Sequence, residues 1–262
     1  MPIRLSKKIK RITLWTISTV LLCLIVLIGA ILNPQLLYAE SSQVGELRVL
    51  SDDPLDEETR VIIQNAYDVA RQSPLYESGY PLDICIGENS LYIPFFKKIS
   101  GPAFGVSTLN KVIMYARQDY SNNTAHWRDR TWQLSEVLSH EMVHCFQYHR
   151  FGYRFPIKTP TWIVEGYAEY IARQAKGVED LSTYFGIYLQ SVEDGKEDWE
   201  WIPFGERNGS PLSYLRYRLL VQYLLEVESI SYEDIIQNQE GEGAVFDRMQ
   251  NWYTSNQAKA PK

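Results

Sequence analysis

Hydrophobic and polar positions divide the chain into an apolar N-terminal segment and a patterned remainder. No charged residue occurs from Ile12 to Leu32, and five basic residues precede this stretch: Arg4, Lys7, Lys8, Lys10 and Arg11. As a helix rising about 1.5 Å per residue, the stretch would cross a hydrocarbon core of about 30 Å. The pattern therefore predicts a basic cytoplasmic flank over 1–11 and a transmembrane anchor over 12–32.

A cleaved signal peptide ending near Leu37-Tyr38-Ala39 is the alternative to a retained anchor. The apolar stretch is longer than the about 7–15 residues of a typical signal core, and Leu37 is not a small residue. These features favour the anchor. The expected location is the cell membrane, with a single pass and the C-terminal domain outside, and the alternative is secretion.

After the apolar segment, residues 33–45 read as a stalk and residues 46–262 as one extracytoplasmic domain. Period-2 and helical spacing predict the following elements: a strand at Glu46–Ser51, a helix at about 54–73, and strands at Leu82–Gly87, Ala103–Val106 and Lys111–Ala116. Beyond Asp119 the pattern is mostly helical. This order indicates an α+β fold, a small mixed sheet followed by a mainly helical half.

Composition narrows the function classes. A hydrophobic content of 45% supports a packed core, and the net charge of −6 has no basic stripe outside the N-terminus. Nucleic-acid binding is therefore not expected. Cys85 and Cys145 are either two small buried hydrophobes, which we favour, or a disulfide allowed by an oxidising compartment.

The strongest chemical signal is His140-Glu141-Met142-Val143-His144, an H-E-x-x-H pattern. Two histidines four residues apart on a helix can reach one metal ion, while the glutamate between them suits a general base. Apolar neighbours favour the helix: Leu134, Val137, Leu138, Met142, Cys145 and Phe146. The pattern requires a third ligand.

The same helix does not supply that ligand. Gln147 and Arg150 occupy the positions at which the longer H-E-x-x-H-x-x-G-x-x-H pattern has glycine and histidine. His149 follows His144 by five residues, which turns it away from the pair. We expect His149 at the surface.

A second helix is predicted to begin at Thr159-Pro160 and to carry Glu165 and Glu169 four residues apart on one face. The two glutamates belong either to the metal site or to an ordinary surface. The apolar residues around them favour the metal site. Gly166 inside this helix predicts a close approach of the two metal-site helices.

The two motifs together resemble those of the gluzincin, or peptidase MA-like, metallopeptidases, over about residues 80–225. The resemblance implies a gluzincin-like catalytic domain with Zn²⁺, Glu165 as its third ligand and Glu169 as the acid that orients a ligating imidazole. It also implies that the strand at Lys111–Ala116 edges the substrate cleft.

Gluzincins usually supply a tyrosine or histidine to the developing oxyanion, and no fixed motif marks that residue here. Tyr214 and Tyr217 lie at the start of an amphipathic helix that follows both motifs. The alternative for each is an aromatic side chain of the core. We name Tyr214 as the candidate, with His126 as a weaker alternative.

These observations predict a membrane-anchored, extracytoplasmic zinc-dependent hydrolase of peptides or proteins. Glu141 would act as general base toward a zinc-activated water. The alternative is a catalytically inactive, peptidase-like binding or interaction domain on the cell surface. The sequence does not indicate an oligomeric state.

Overall fold

A computed structural model describes residues 7–87, 92–101, 103–176, 180–204 and 209–258. The helices are α1 (Lys7–Leu32), α2 (Glu57–Ala70), α3 (Tyr92–Ser100), α4 (Leu134–Phe151), α5 (Phe155–Lys158), α6 (Thr161–Ala172), α7 (Leu181–Glu193), α8 (Leu212–Gln222), α9 (Tyr232–Asn238) and α10 (Glu242–Gln257). The strands are β1 (Glu40–Val44), β2 (Leu47–Ser51), β3 (Asp83–Cys85), β4 (Gly105–Thr108), β5 (Lys111–Met114), β6 (Arg117–Asp119), β7 (Thr124–Trp127), β8 (Arg130–Gln133), β9 (Trp201–Pro203) and β10 (Gly209–Pro211). The fold is mixed α+β, as the sequence predicts.

Helix α1 contains the predicted apolar span. Its segment Arg11–Gly29 is long and apolar enough to cross a membrane, and none of that segment is buried. A signal sequence has the same properties, so the topology stays a prediction. Residues 1–6 of the basic flank lie outside the described residues.

The stretch interpreted as a stalk is not free of secondary structure. Glu40–Val44 forms β1, which pairs antiparallel with β2 from Glu40↔Ser51 to Val44↔Leu47. The polar sequence ESSQV hides this strand from a hydropathy pattern because only Val44 is buried. The sheet therefore begins inside the predicted stalk.

The main sheet has five strands in the order β1-β2-β3-β5-β4. Strands β2, β3 and β5 run parallel, while β4 pairs antiparallel with β5 and forms one edge of the sheet, opposite β1. The expectation that Lys111–Ala116 edges the cleft is therefore wrong, because β5 is covered on both sides by β3 and β4. The edge strand on that side of the sheet is β4, Gly105–Thr108.

Alternation along the strands separates two apolar layers. One face packs with α2 and α4 in the larger core, and the opposite face packs against α3 and the segment after α1. Ile84 belongs to the first layer and Cys85 to the second, whereas Cys145 lies in the first. Both thiols are buried and free, as favoured from the sequence, because the sheet stands between them.

Two features of the middle region escape the sequence patterns. Strands β6, β7 and β8 form an antiparallel sheet just before α4, where a mostly helical pattern is predicted. The β7–β8 turn is Arg128-Asp129, and Arg128 takes a φ of 56° without the usual glycine or asparagine. Helix α2, predicted to begin at about residue 54, begins at Glu57 and is capped by Asp56, which accepts a hydrogen bond from Thr59 N.

Helix α6 packs most extensively against α8, and Gly166 lies at their closest approach. A Cβ at Gly166 would lie 2.7 Å from the carbonyl carbon of Tyr217 and 2.8 Å from Cγ2 of Val221. The predicted role of Gly166 in bringing the two motif-bearing helices together is thus wrong, since the glycine faces α8 instead.

Replacing Gly166 with alanine should lower the free energy of unfolding by about 2–3 kcal/mol, since overpacking against backbone outweighs the gain in helix propensity. Gly243→Ala is the matched control, because that helical glycine is exposed with nothing within 4 Å of a new Cβ. Chemical denaturation of both variants measures the difference. Equal stability of the two variants would contradict the close approach of α6 and α8.

Candidate metal centre and substrate cleft

Helix α4 brings His140 and His144 onto one buried face, and α6 brings Glu165 opposite them. The two Nε2 atoms lie 3.0 Å apart, and Oε2 of Glu165 lies 3.3 Å from Nε2 of His140 and 3.4 Å from that of His144. The three ligand atoms lie within 4.8 Å of one another and could hold a metal ion. The structure thus brings together the three residues predicted from the two motifs.

The electrostatics of this cluster favour an anionic glutamate beside imidazoles. Burial raises the pKa of Glu165, but His144 and His140 outweigh it and hold the carboxyl's pKa well below its ordinary value. Burial lowers the pKa of His144, but Glu165 outweighs it and raises the pKa to about 9. A proton would therefore compete with any metal ion for His144 Nε2.

The outward nitrogen of His144 has a partner that the sequence patterns do not reveal. Oε1 of Gln147 lies 2.7 Å from His144 Nδ1, and Nε2 of Gln147 donates to Val164 O at 3.0 Å and to Tyr232 Oη at 2.8 Å. Because both Gln147 donors are used, its oxygen accepts from His144 Nδ1–H. This tautomer leaves Nε2 free for a metal.

The outward nitrogen of His140 faces Glu169. Its Nδ1 lies 3.5 Å from Glu169 Oε1, and neither atom has a hydrogen bond within the described residues. Glu169 is fully buried, and its Oε2 accepts from Arg173 Nε at 2.9 Å. Arg173 also lies 3.6 Å from Glu136. A small shift would let Glu169 accept from His140.

The side chain of Glu141 lies in the same cleft and contacts the edge strand β4. Ser107 Oγ donates to the backbone oxygen of Glu141 at 2.7 Å and also hydrogen-bonds the carboxylate Oε2. A Cβ added to Gly105 would lie 3.2 Å from Glu141 Cγ. The edge strand thus fixes the position of the Glu141 side chain, and Ser107 is a second residue that no sequence motif indicates.

The structure distinguishes between the two tyrosines that were candidates for binding the oxyanion. Tyr214 lines the cleft with its ring 6.3 Å from that of His140, whereas Tyr217 does not line it. Burial, and then the nearby carboxylates of Glu165 and Glu169, raise the pKa of Tyr214 well above its ordinary value. Its hydroxyl therefore stays protonated and able to donate. Tyr148, which was not predicted, also lines the cleft, with its ring 6.5 Å from His144.

The two remaining histidines lie elsewhere. His126 on β7 uses both ring nitrogens, with Thr124 at 2.9 Å and Thr131 at 3.1 Å, and it does not line the cleft. His149 pairs with Glu77 at 2.9 Å on the surface, as expected. Neither therefore belongs to the site.

The cluster opens into a cleft of about 290 Å³. Its lining comes from the edge strand β4, the β7–β8 hairpin, helices α4 and α6, β9 and the start of α8. Phe104 O accepts a hydrogen bond from Tyr115 N at 2.8 Å, which makes these two a hydrogen-bonded pair of the antiparallel ladder. Hydrogen-bonded and non-hydrogen-bonded pairs alternate, so the backbone N–H and C=O groups of Gly105 and Ser107 face away from β5. These groups are placed to pair with an extended chain.

Comparison with known proteins relates the chain to peptidases. A family model described as "BSP: Peptidase of plants and bacteria" matches residues 95–184, about a third of the chain. The matched stretch contains His140, Glu141, His144 and Glu165 but ends before Tyr214. None of the curated proteins compared with the chain matches it. The match supports a peptidase-like protein with a peptidase-related function.

Proposed function

We propose that this chain is a zinc-dependent peptide hydrolase of gluzincin type, held at a membrane by α1. The observation that carries the proposal is the convergence of two imidazole nitrogens and one carboxylate oxygen, with Glu141 beside them in the same cleft. The peptidase family match over the same residues supports it.

The donor set fits zinc. Bonds of about 2.0–2.1 Å in tetrahedral geometry place ligand atoms about 3.3 Å apart, close to the 3.0–3.4 Å seen between these three atoms. Two histidines and one glutamate are a known catalytic zinc set. The outward Nδ1 atoms of His140 and His144 face acceptors, which favours the tautomer whose Nε2 is directed inward.

When bound, zinc would make a water more acidic and polarise the scissile carbonyl. Glu141 would take the proton of the attacking water and pass it to the departing amine. Ser107 would hold the Glu141 carboxylate toward the cleft. Tyr214, kept protonated, would donate to the oxygen of the attacked carbonyl.

The peptide would lie along β4 in extended form, pairing with the backbone of Gly105 and Ser107. The same strand that binds the peptide also contacts Glu141, so the substrate carbonyl and the general base share one support. The contact of β4 with Glu141 favours hydrolysis over the alternative of an inactive binding domain, because an inactive domain would not need an oriented base.

The membrane anchor is the second part of the proposal. Arg11–Gly29 is apolar and unburied, and basic residues precede it, which supports a single pass with the folded domain outside. The domain boundaries follow from this: a flank over 1–11, an anchor over 12–32, a connection over 33–39 and the catalytic domain over 40–262, which includes β1 of the main sheet. Secretion after cleavage is the alternative.

Glu141→Gln keeps the side-chain shape but removes the base. We expect turnover of peptides to fall by about 10²–10⁴-fold while zinc stays near one ion per chain. His144→Ala should lose zinc and activity together, because two ligands hold the ion poorly. Zinc content and peptide cleavage are measured on the same preparations. Unchanged cleavage by a zinc-containing Glu141→Gln protein would refute the mechanism.

Gln147→Ala removes the acceptor from His144 Nδ1, and we expect zinc affinity to fall by about 10–100-fold. Competition with a chelator of known affinity measures the change, and circular dichroism verifies the fold. His149→Ala is the control, since it removes a histidine from the same helix outside the site. If both variants bind zinc like the unmodified protein, Gln147 has no role in orienting the ligand.

Full-length protein expressed in a host with a comparable secretion pathway should sediment with membranes and resist extraction by high salt, because the apolar helix enters the bilayer. Detergent should release it at its full mass. Recovery of a soluble protein that begins near Glu40 would instead establish a signal peptide.

A further inference from the structure

Beyond the metal-binding residues, the cleft continues along four aromatic side chains, here called the aromatic wall: Phe104, Trp127, Trp132 and Trp201. The ring of Phe104 lies 6.2 Å from Trp127, 5.6 Å from Trp132 and 6.0 Å from Trp201. Trp132 and Trp201 lie 5.8 Å apart. All four line the same cleft as His140.

The wall lies at the border of the main core: Trp132 belongs to that core, and the other three rings pack against it. It is assembled from three separate chain segments, and only Trp132 is buried, while the other three rings are partly exposed to the cleft. Partly exposed aromatic rings grouped in a concave site favour binding of an apolar group. The ring of Trp132 lies 6.0 Å from that of His140, so the wall begins immediately beside the metal-binding cluster.

Arg130 lies at the outer end of the wall. Its guanidinium is 5.9 Å from the Trp201 ring and donates to the backbone oxygen of Trp199 at 3.2 Å. Within the described part of the chain, no carboxylate forms an ion pair with Arg130, and it is the one permanently positive side chain among the described residues lining the cleft. The charge is held in place and open to an anionic group.

We propose that the aromatic wall binds a large apolar side chain of the peptide, aromatic by preference, and that Arg130 pairs with a carboxylate farther along the same peptide. The wall's rings are wide enough to stack on an aromatic group, while Arg130 disfavours a lysine or arginine at the outer position. Cleavage of such peptides rests on the proposed hydrolysis, whereas their binding to the wall does not.

Equilibrium binding tests the proposal without turnover. Full-length Glu141→Gln protein, with and without added zinc, is titrated with peptides of one sequence carrying phenylalanine, alanine or lysine at a single scanned position. At the position that reaches the wall, the phenylalanine peptide should bind at least about tenfold more tightly than the alanine peptide. Equal affinity of the two at every position would overturn the proposal.

Variants of the wall assign the effect to its residues. Trp127→Ala should reduce the preference for phenylalanine severalfold, and Trp127→Leu should restore part of it, which separates loss of apolar surface from loss of fold. Trp199→Ala is the matched control, because its ring is 67% exposed and lies outside the cleft. An equal loss in Trp199→Ala and Trp127→Ala would contradict the role of the wall.

Arg130→Glu tests the charge. The unmodified residue should favour aspartate over lysine at an outer peptide position, and the glutamate variant should reverse that order. An unchanged order would overturn the role of Arg130. Cleavage of the same peptides by the unmutated protein is measured in parallel: no cleavage, with the phenylalanine preference intact, would refute hydrolysis while supporting the binding site.

Discussion

Helices α4 and α6 meet through ionisable side chains, and burying charge without partners costs several kcal/mol per group. Glu165 faces two imidazoles, and the fully buried Glu169 faces Arg173 on one side and His140 on the other. Each carboxylate thus has a compensating group on a neighbouring turn or helix. The register of α6 against α4 is restricted by this requirement, because a shift of one residue would leave a buried carboxylate unpaired.

Hydrogen bonds made by Gln147 and Arg173 connect the metal-binding residues to further elements of the helical half. Gln147 connects His144 on α4 to the backbone of α6 at Val164 and to Tyr232 on α9. Arg173 connects Glu169 to the backbone of β10 at 3.2 Å. Orientation of the two imidazoles therefore depends on the packing of elements far apart in sequence. Such a site is prearranged, which lowers the reorganisation needed when an ion binds.

The sheet contributes the other half of the proposed chemistry. Its edge strand places Ser107 against Glu141, and small Gly105 allows the strand to approach α4 closely. In the proposed chemistry, α4 and α6 would supply the metal ligands, and β4 would both orient the base and align the peptide. The proposed selectivity would come from the aromatic wall, which is formed by the β7–β8 hairpin and its neighbours.

Local patterns determined much of this protein. The period of apolar residues identified α1, α2 and the α4 helix, and the four-residue spacing of His140 and His144 requires that they share a helical face. The spacing of Glu165 and Glu169 likewise placed both on one face of α6. Such inferences succeed because they concern neighbours within one or two helical turns, whose relative positions are set by backbone geometry alone.

Tertiary structure decided the rest. The edge position of β4, the contact of Gly166 with α8, and the contacts made by Ser107 and Gln147 depend on which distant segments meet, and no local period encodes that. The short hairpin before α4 also escaped, because its strands are three or four residues long and its turn lacks glycine. The sequence by itself specified which groups could bind a metal, whereas the fold determined how each is oriented and what lies beside it.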